Sequence, residues 1–429
     1  LWENGGFAAV GEDGQAGAFF AIIALFTLAE DAMDFAPLYL KKHEERRLRN
    51  GHLWVYSNEV DTARSPLHGF EPGQPVQLIA NDGKPIGNGY VNPHSLICAR
   101  LVSRTVKHGL DRSLLVHRLN IALSLRERLF DKPFYRLVYA ESDGLPGLVV
   151  DRYGEVLVVQ LNTAGMEAVK EQVLEALQKV VKPSAVLWRN DSSARRLEGL
   201  ESYVEPALGE IPETVEIEEN ATRFEVPLFG GQKTGWFFDH RMNRARVQQL
   251  CRGRRVLDVF SYIGGWGIAA ATAGASEVVC VDSSARALDQ VERNAALNGV
   301  SERVQGIEGD AFEALKALRA ERERFDLVIV DPPAFIKRKK DVKKGVEAYR
   351  RLNQAAMQLL GKDGILVSAS CSYHLQRDTL RELLQQSARH LDRSLQILEQ
   401  GHQGPDHPVH PAIPETDYIK CYTSRVVTL

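Results

Sequence analysis

The sequence predicts an α/β fold: a doubly wound parallel sheet in the C-terminal half, preceded by a small β-barrel and a compact α+β unit. Three observations predict it. From about Val204 onward the short apolar runs "RRVLDVF", "SEVVCVD", "RVQGIEGD", "FDLVIVD" and "GILVSAS" alternate with helical stretches, the pattern of strands buried on both faces of a parallel sheet. Before that, "HLWVYSNEV", "PVQLIA", "PIGNGYV" and "LICARLVS" have strand length and are separated by Pro72-Gly73 and Asn81-Asp82-Gly83, turn sequences with a known backbone preference. Between these regions lies a helix from Ser113 to Phe130, with Leu115, Leu119, Ala122, Leu125 and Leu129 on one face. Two strand runs around Asp143-Gly144 and Tyr153-Gly154, the amphipathic "MEAVKEQVLEALQKVV" and the strand "AVLWRN" follow. The predicted units are 38–104, 105–203 and 204–429.

A chain of 429 residues has room for two or three domains at about 150 residues each. Its 44% hydrophobic and 25% charged residues are those of a soluble globular protein rather than a disordered or fibrous one. The five cysteines are scattered, with no C-x-x-C or Cys/His zinc spacing. They read as reduced thiols of a cytoplasmic protein. Cys98, Cys280 and Cys421 lie inside apolar runs as packing residues, which leaves Cys371 in "SASCSYH" available for chemistry.

A net charge of −3 does not mark a nucleic-acid binder. The basic residues nevertheless crowd into "KKHEERRLR" (41–49) and "KRKKDVKK" (337–344). Each alone is equally a solvated face. The first 32 residues carry "AGAFFAIIALFTLA", too short to span a membrane and preceded by Glu3, Glu12 and Asp13 without a Lys or Arg, the wrong flank for a secretory signal. Residues 1–32 are therefore expected to be an extension outside the fold, with Met33 standing just before the patterned region. No membrane association is expected.

Ligands of a doubly wound sheet sit beyond the carboxyl ends of its strands. The first run there leads into "DVFSYIGGWG" (258–267), a loop containing Tyr262 whose Gly264, Gly265 and Gly267 permit a tight turn and close approach to a ligand. It is not G-x-G-x-x-G, which weakens a dinucleotide reading. Asp258 closes this run, Asp282 the second and Asp310 the third. A carboxylate in the second position accepts both ribose hydroxyls, and Asp310 would face an adenine edge; helix capping is the plain alternative for both. Three such carboxylates with a glycine loop and no Walker lysine fit S-adenosyl-L-methionine better than NAD or ATP.

"DVFSYIGGWG", "DPPAF" (331–335), "SCSYH" (370–374), "GQKTGWFFDHR" (231–241) and "DHPVHPAIPETDYIK" (406–420) together resemble the bacterial 23S ribosomal RNA cytosine-5 methyltransferases. The resemblance runs over nearly the whole chain from Leu38. It implies a PUA domain that binds structured RNA, a middle α+β domain, a Rossmann-like methyltransferase domain, S-adenosyl-L-methionine as cofactor, 23S ribosomal RNA as substrate, and a homodimer. It also places Gln232, Lys233 and Thr234 at the cofactor, although an entry loop packed by Trp236, Phe237 and Phe238 is an equally plain reading of that segment, and it makes Cys371 the nucleophile.

The implied chemistry is covalent. Carbon 5 of cytosine attacks a methyl sulfonium poorly until a thiolate has added at carbon 6. Asp331 would relieve charge on the ring by bonding N3 and the exocyclic amine, in a turn stiffened by Pro332 and Pro333. Phe335 would stack on an extruded base. Lys337, Arg338, Lys339 and Lys340 would flank the mouth for phosphates. RNA cytosine-5 methyltransferases often carry a second cysteine before this proline. Here Asp331 stands instead, leaving Asp331, His374 or a water as the base for the carbon-5 proton. His402, His407 and His410, beside Asp406 in a proline-rich stretch, lack metal-ligand spacing and read as a loop. The alternatives are guanine methylation on the same fold, which needs no thiol, an RNA-binding protein without turnover and, more distantly, a dinucleotide oxidoreductase.

Overall fold

The computed structural model describes residues 35–231 and 234–428. The predicted extension at 1–32 lies outside the described residues. Strands β1 (Ala36–Tyr39), β2 (Trp54–Val55), β3 (Pro75–Ile79), β4 (Pro85–Val91) and β5 (Ala99–Ser103) form one sheet in the order β1-β3-β4-β5-β2. It closes over Leu38, Val55, Val76, Leu78 and Leu101. The run "HLWVYSNEV" supplies only two strand residues. Its second half turns into a 3-10 helix at Ser57–Glu59, where the Glu59 carboxylate accepts from Arg47 at 2.7 Å and from the Tyr56 backbone N–H at 2.8 Å.

The middle unit is a second sheet, β6 (Phe134–Tyr139), β7 (Leu148–Tyr153), β8 (Val156–Leu161), β9 (Ala185–Asn190) and β10 (Tyr203–Leu208), ordered β10-β9-β8-β7-β6. Helices α1 (Arg112–Leu129) and α2 (Lys170–Val180) pack on it through Leu115, Leu119, Ala122, Val173 and Leu177. The buried stripe of α1 differs from the expected one. Leu125 and Leu129 are exposed, and Arg126 is fully buried. Positions 115, 119, 122 and 126 are the ones that keep the helical period. Arg126 tolerates burial because its guanidinium grips Asp143 at 2.6 and 2.8 Å and donates to the carbonyls of Arg136 and Asp406. A second cluster joins barrel to middle unit: the buried Glu198 carboxylate accepts from Asn92, Ser95 and Arg100, each at 2.9–3.0 Å.

A hairpin of β11 (Thr214–Glu219) and β12 (Thr222–Pro227) leads into the third sheet. Its strands are β13 (Arg255–Val259), β14 (Glu277–Asp282), β15 (Val304–Glu308), β16 (Phe325–Val330), β17 (Leu360–Ser370), β18 (Ser394–Gly401) and β19 (Lys420–Val427). The order is β15-β14-β13-β16-β17-β19-β18, parallel except for β19, which runs antiparallel to both neighbours. Helices α3 (Gly265–Thr272), α4 (Ala285–Leu297), α5 (Ala311–Ala320), α6 (Val342–Leu359) and α7 (Arg377–His390) pack on it. β15 is an edge strand and mostly solvent-facing, which explains why "RVQGIEGD" is the least apolar of the runs. The chain leaves β13 for β14 on one side and returns with β16 on the other, so the switch in strand order lies between β13 and β16.

Replacing Arg126 by Ala strands Asp143, itself 7% exposed. The expected loss of stability is about 3–5 kcal/mol, read as a lower denaturant midpoint. A midpoint within error of the parent would remove this pair from the framework of the middle unit.

Candidate active site

The loop after β13 is shaped by backbone conformations that cost energy. Phe260 and Tyr262 take positive φ (67° and 50°), as does Gly264 (84°) at the N-terminus of α3. Gly267 is required by close packing, since a Cβ there would sit 2.5 Å from the Cys280 sulfur and 3.2 Å from Asp258 Oδ2. Asp258 does not line the site as expected. It is fully buried within β13, and its Oδ2 accepts the Gly267 N–H at 2.8 Å. Burial pushes it up to about 7 because the charged form lacks solvation. Its Oδ1 has no hydrogen-bond partner. Asp258 therefore braces the loop from beneath.

Asp282, at the tip of β14, accepts from the Tyr262 N–H at 2.8 Å and the Ser284 N–H at 3.0 Å, one oxygen each. Each oxygen keeps a second lone pair for a ligand. Beside it, Gly230, Gly231, Tyr262, Ser284 and Arg286 line a cavity of about 610 Å³, a size suited to a nucleoside-type ligand. A cavity of about 650 Å³ lies between the barrel and α1, away from the strand ends. Asp310 is solvent-exposed beyond β15 and caps α5, accepting from the N–H groups of Phe312 and Glu313. Thr234 is buried, its hydroxyl donating to Asp151 and its carbonyl accepting from the Tyr153 hydroxyl, so it ties the segment to the middle unit instead of facing a cofactor. Gln232 and Lys233 lie outside the described residues. The aromatic part of the segment packs on the loop: the Tyr262 hydroxyl donates to the Gly235 carbonyl, and Phe237 meets Tyr262 edge-on at 5.5 Å.

Asp331 follows β16, beside the switch point. Its Oδ2 accepts from Trp266 Nε1 of α3 at 3.1 Å, and its Oδ1 lies 3.5 Å from Nε2 of the buried His240. Burial alone would raise Asp331, but the His240 charge and the two donors outweigh it and hold it below the ordinary carboxylate value. Burial likewise pulls His240 down, and the Asp331 carboxylate more than restores it. Neither His240 nor Trp266 was singled out by the sequence reading. Both stand inside quoted motifs, where their neighbours drew the attention.

Cys371 follows the last residue of β17, the strand paired with β16. It is half-buried, while Cys98, Cys251, Cys280 and Cys421 are buried. Burial pushes the Cys98 and Cys251 thiols up to about 12 and also raises those of Cys280 and Cys421. The two serines flanking Cys371 turn inward onto one group. Ser370 Oγ donates to the Tyr349 hydroxyl of α6 at 2.8 Å, and Ser372 Oγ lies 2.9 Å from that hydroxyl. Ser372 Oγ also accepts the Ile336 N–H at 3.3 Å, tying the cysteine loop to the loop of Asp331. Phe335 packs on Tyr349 (4.8 Å between centroids) and Phe260 (6.4 Å). Its half-buried ring supports the loop through these neighbours. Pro332 is buried, and Lys337, Arg338, Lys339 and Lys340 are exposed beside it. Farther along, His407 Nδ1 pairs with Asp406 at 3.0 Å, and Asp406 in turn accepts the Arg136 N–H. These groups fasten the 402–410 loop to the middle unit.

A glycine loop, a strand-tip carboxylate and a half-buried thiol thus stand at the strand ends beside the switch point. The family model for S-adenosylmethionine-dependent methyltransferases matches residues 148–417, and that for PUA-like domains matches 38–104. The ribosomal RNA large subunit methyltransferase I of Aliivibrio fischeri is 35% identical over 395 residues, 91% of this chain and 99% of that protein. This chain belongs to that methyltransferase family. The enzyme of the same name from Erwinia tasmaniensis is 36% identical over the same shares of the two chains. A solved structure described as a SAM-dependent methyltransferase from Streptococcus mutans shares the fold (TM-score 0.77, 20% identity, 91% of this chain and 100% of that one). The methyltransferase here depends on S-adenosylmethionine. The residues present fit that cofactor: Asp282 offers lone pairs beside a cavity of nucleoside size, and the glycines at 264 and 267, where a Cβ would strike Ile268 and Cys280, let the loop turn tightly next to it. Among the described residues no helix is long and apolar enough to cross a membrane.

The His240–Asp331 pair has a pH signature. His240, raised above 6.5, adds stability that is complete below its unfolded value and is lost as pH rises through its folded one. Asp331, lowered below 3.8, adds stability above that value that is lost as pH falls through its folded one. His240→Asn should therefore cost most near pH 6 and progressively less toward pH 9, measured as urea midpoints. A cost constant over that range would mean that the ion pair does not form.

Proposed function

We propose that this methyltransferase modifies carbon 5 of a cytosine in large-subunit ribosomal RNA, with Cys371 as covalent nucleophile. The observation that carries the reading is the half-buried Cys371 thiol at the tip of β17, adjoining the strand that ends at Asp331. The relatives' activity on ribosomal RNA and the PUA-like match support the substrate class.

The thiolate sulfur bonds carbon 6, and the ring electrons move to carbon 5, which becomes enamine-like. When bound, S-adenosylmethionine supplies the electrophilic methyl group. After carbon 5 is methylated, its proton leaves to a base and the sulfur departs with its electron pair, restoring the aromatic ring. Asp331, held ionised by His240 and Trp266, is an acceptor only. It takes an N–H of the exocyclic amine and can donate to N3 only after gaining a proton. Asp282 and the 262–267 loop hold the adenosine end. Lys337 to Lys340 meet RNA phosphates.

The decisive experiment incubates the protein with isotopically labelled S-adenosylmethionine and ribosomal RNA from cells lacking the gene, followed by nucleoside mass spectrometry. Label is expected in 5-methylcytidine, and Cys371→Ala should abolish it while leaving cofactor affinity within about twofold. Label in a methylguanosine, or turnover by Cys371→Ala, would overturn the cytosine reading. Replacing Lys337, Arg338, Lys339 and Lys340 by neutral residues should flatten the salt dependence of RNA binding by about 0.7–0.9 in log–log slope per lost phosphate contact. An unaltered slope would make the run a solvated face.

A further inference from the structure

Lys420 is the single buried lysine among the described residues, 5% exposed. It opens β19 and pairs across the sheet with Ser370, the residue before Cys371. Its Nζ donates to the Ser372 carbonyl at 2.8 Å and to the Tyr418 carbonyl at 3.0 Å. The ammonium is thus bound by carbonyls and fixed to the residue after Cys371. It lies within electrostatic range of that thiol. A strand lysine that needed only to satisfy two carbonyls would not require a charge, and a buried charge is costly unless something nearby compensates it.

We propose that Lys420 is a positioning residue that holds Cys371 as the thiolate, by the field of its ammonium and by its grip on the Ser372 backbone. The catalytic meaning of this rests on Cys371 being the nucleophile, as proposed above. No proton passes through Lys420. The thiol proton goes to solvent before attack, and the sulfur uses the electron pair left behind to bond carbon 6. Burial pulls Lys420 down to about 8; Asp417 and Cys371 favour its charge, and Arg377, which donates to the Gly401 and Ile419 carbonyls, opposes it. It therefore stays mainly charged at pH 7. The Tyr349 phenol also lies within electrostatic range of Cys371, and it is neutral at that pH.

The test is the pH dependence of Cys371 alkylation by iodoacetamide, followed by peptide mass on the full chain, with the four buried cysteines as internal references. In the parent the alkylation midpoint should fall below the ordinary thiol value of about 8.5. Lys420→Gln keeps a donor without the charge. It should raise the midpoint by about one unit and slow alkylation at pH 7 by about tenfold, with S-adenosylmethionine affinity unchanged. Lys420→Arg should restore the parent midpoint. A parent midpoint at or above about 8.5 overturns the inference without any variant, as does an equal midpoint in Lys420→Gln. The readout is separate from turnover. If the midpoint shifts while Cys371→Ala still methylates RNA, the nucleophile reading fails and the charge effect on the thiol stands.

Discussion

The geometry of the reactive edge depends on one phenol hydroxyl. Tyr349, fully buried on α6, takes both serines that flank Cys371. Side chains alternate along an extended segment, so drawing positions 370 and 372 inward turns position 371 the other way. Ser372 extends the hold to the Asp331 loop through the Ile336 N–H and to β19 through Lys420. Without this anchor, two loops at neighbouring strand ends would move independently, and the Cys371 thiol and the Asp331 carboxylate would lose their register.

A second constraint keeps the loop after β13 rigid. Asp258 pulls the Gly267 amide down from within the sheet, Asp282 pulls the Tyr262 amide sideways, and Trp266 reaches from α3 to Asp331. The glycine loop and the Asp331 loop thereby share one helix. The unfavourable φ values at Phe260 and Tyr262 are offset by these bonds, and the loop is preorganised rather than adaptable.

The fold class was legible because each unit announces itself in a different period: alternating short strands with turn dipeptides, an amphipathic helix, then continuous apolar runs. The places of Asp282, Asp331 and Cys371 at the strand ends were legible because each stands at the end of an apolar run. What escaped depends on direction and on distant partners. Asp258 looked like a strand-tip ligand, yet it sits one residue too early and points into the sheet. Leu125 and Leu129 looked like core, but a paired arginine occupies the stripe, which no hydropathy pattern reveals. Tyr349 lies in an unremarkable helical stretch, "EAYRRLN", and only the folded chain brings it to the serines. Lys420 did carry a signal, a lone lysine within "DYIKCYTSRVV", although its partners could not be read from the sequence.

The clamp around Asp406 bears on how such a protein can be rearranged by evolution. Arg126 of α1 and the Arg136 amide of β6 hold this aspartate in the catalytic unit, yet the methyltransferase family model begins only at residue 148. The matched stretch thus starts inside the sheet of the middle unit, whose earlier strand carries contacts to it. A rearrangement that moved residues 148–417 alone would take the Asp406 carboxylate from the Arg136 amide and its carbonyl from Arg126, and leave β7 as an open edge. The middle unit and the transferase unit therefore have to move as one piece for these contacts to survive.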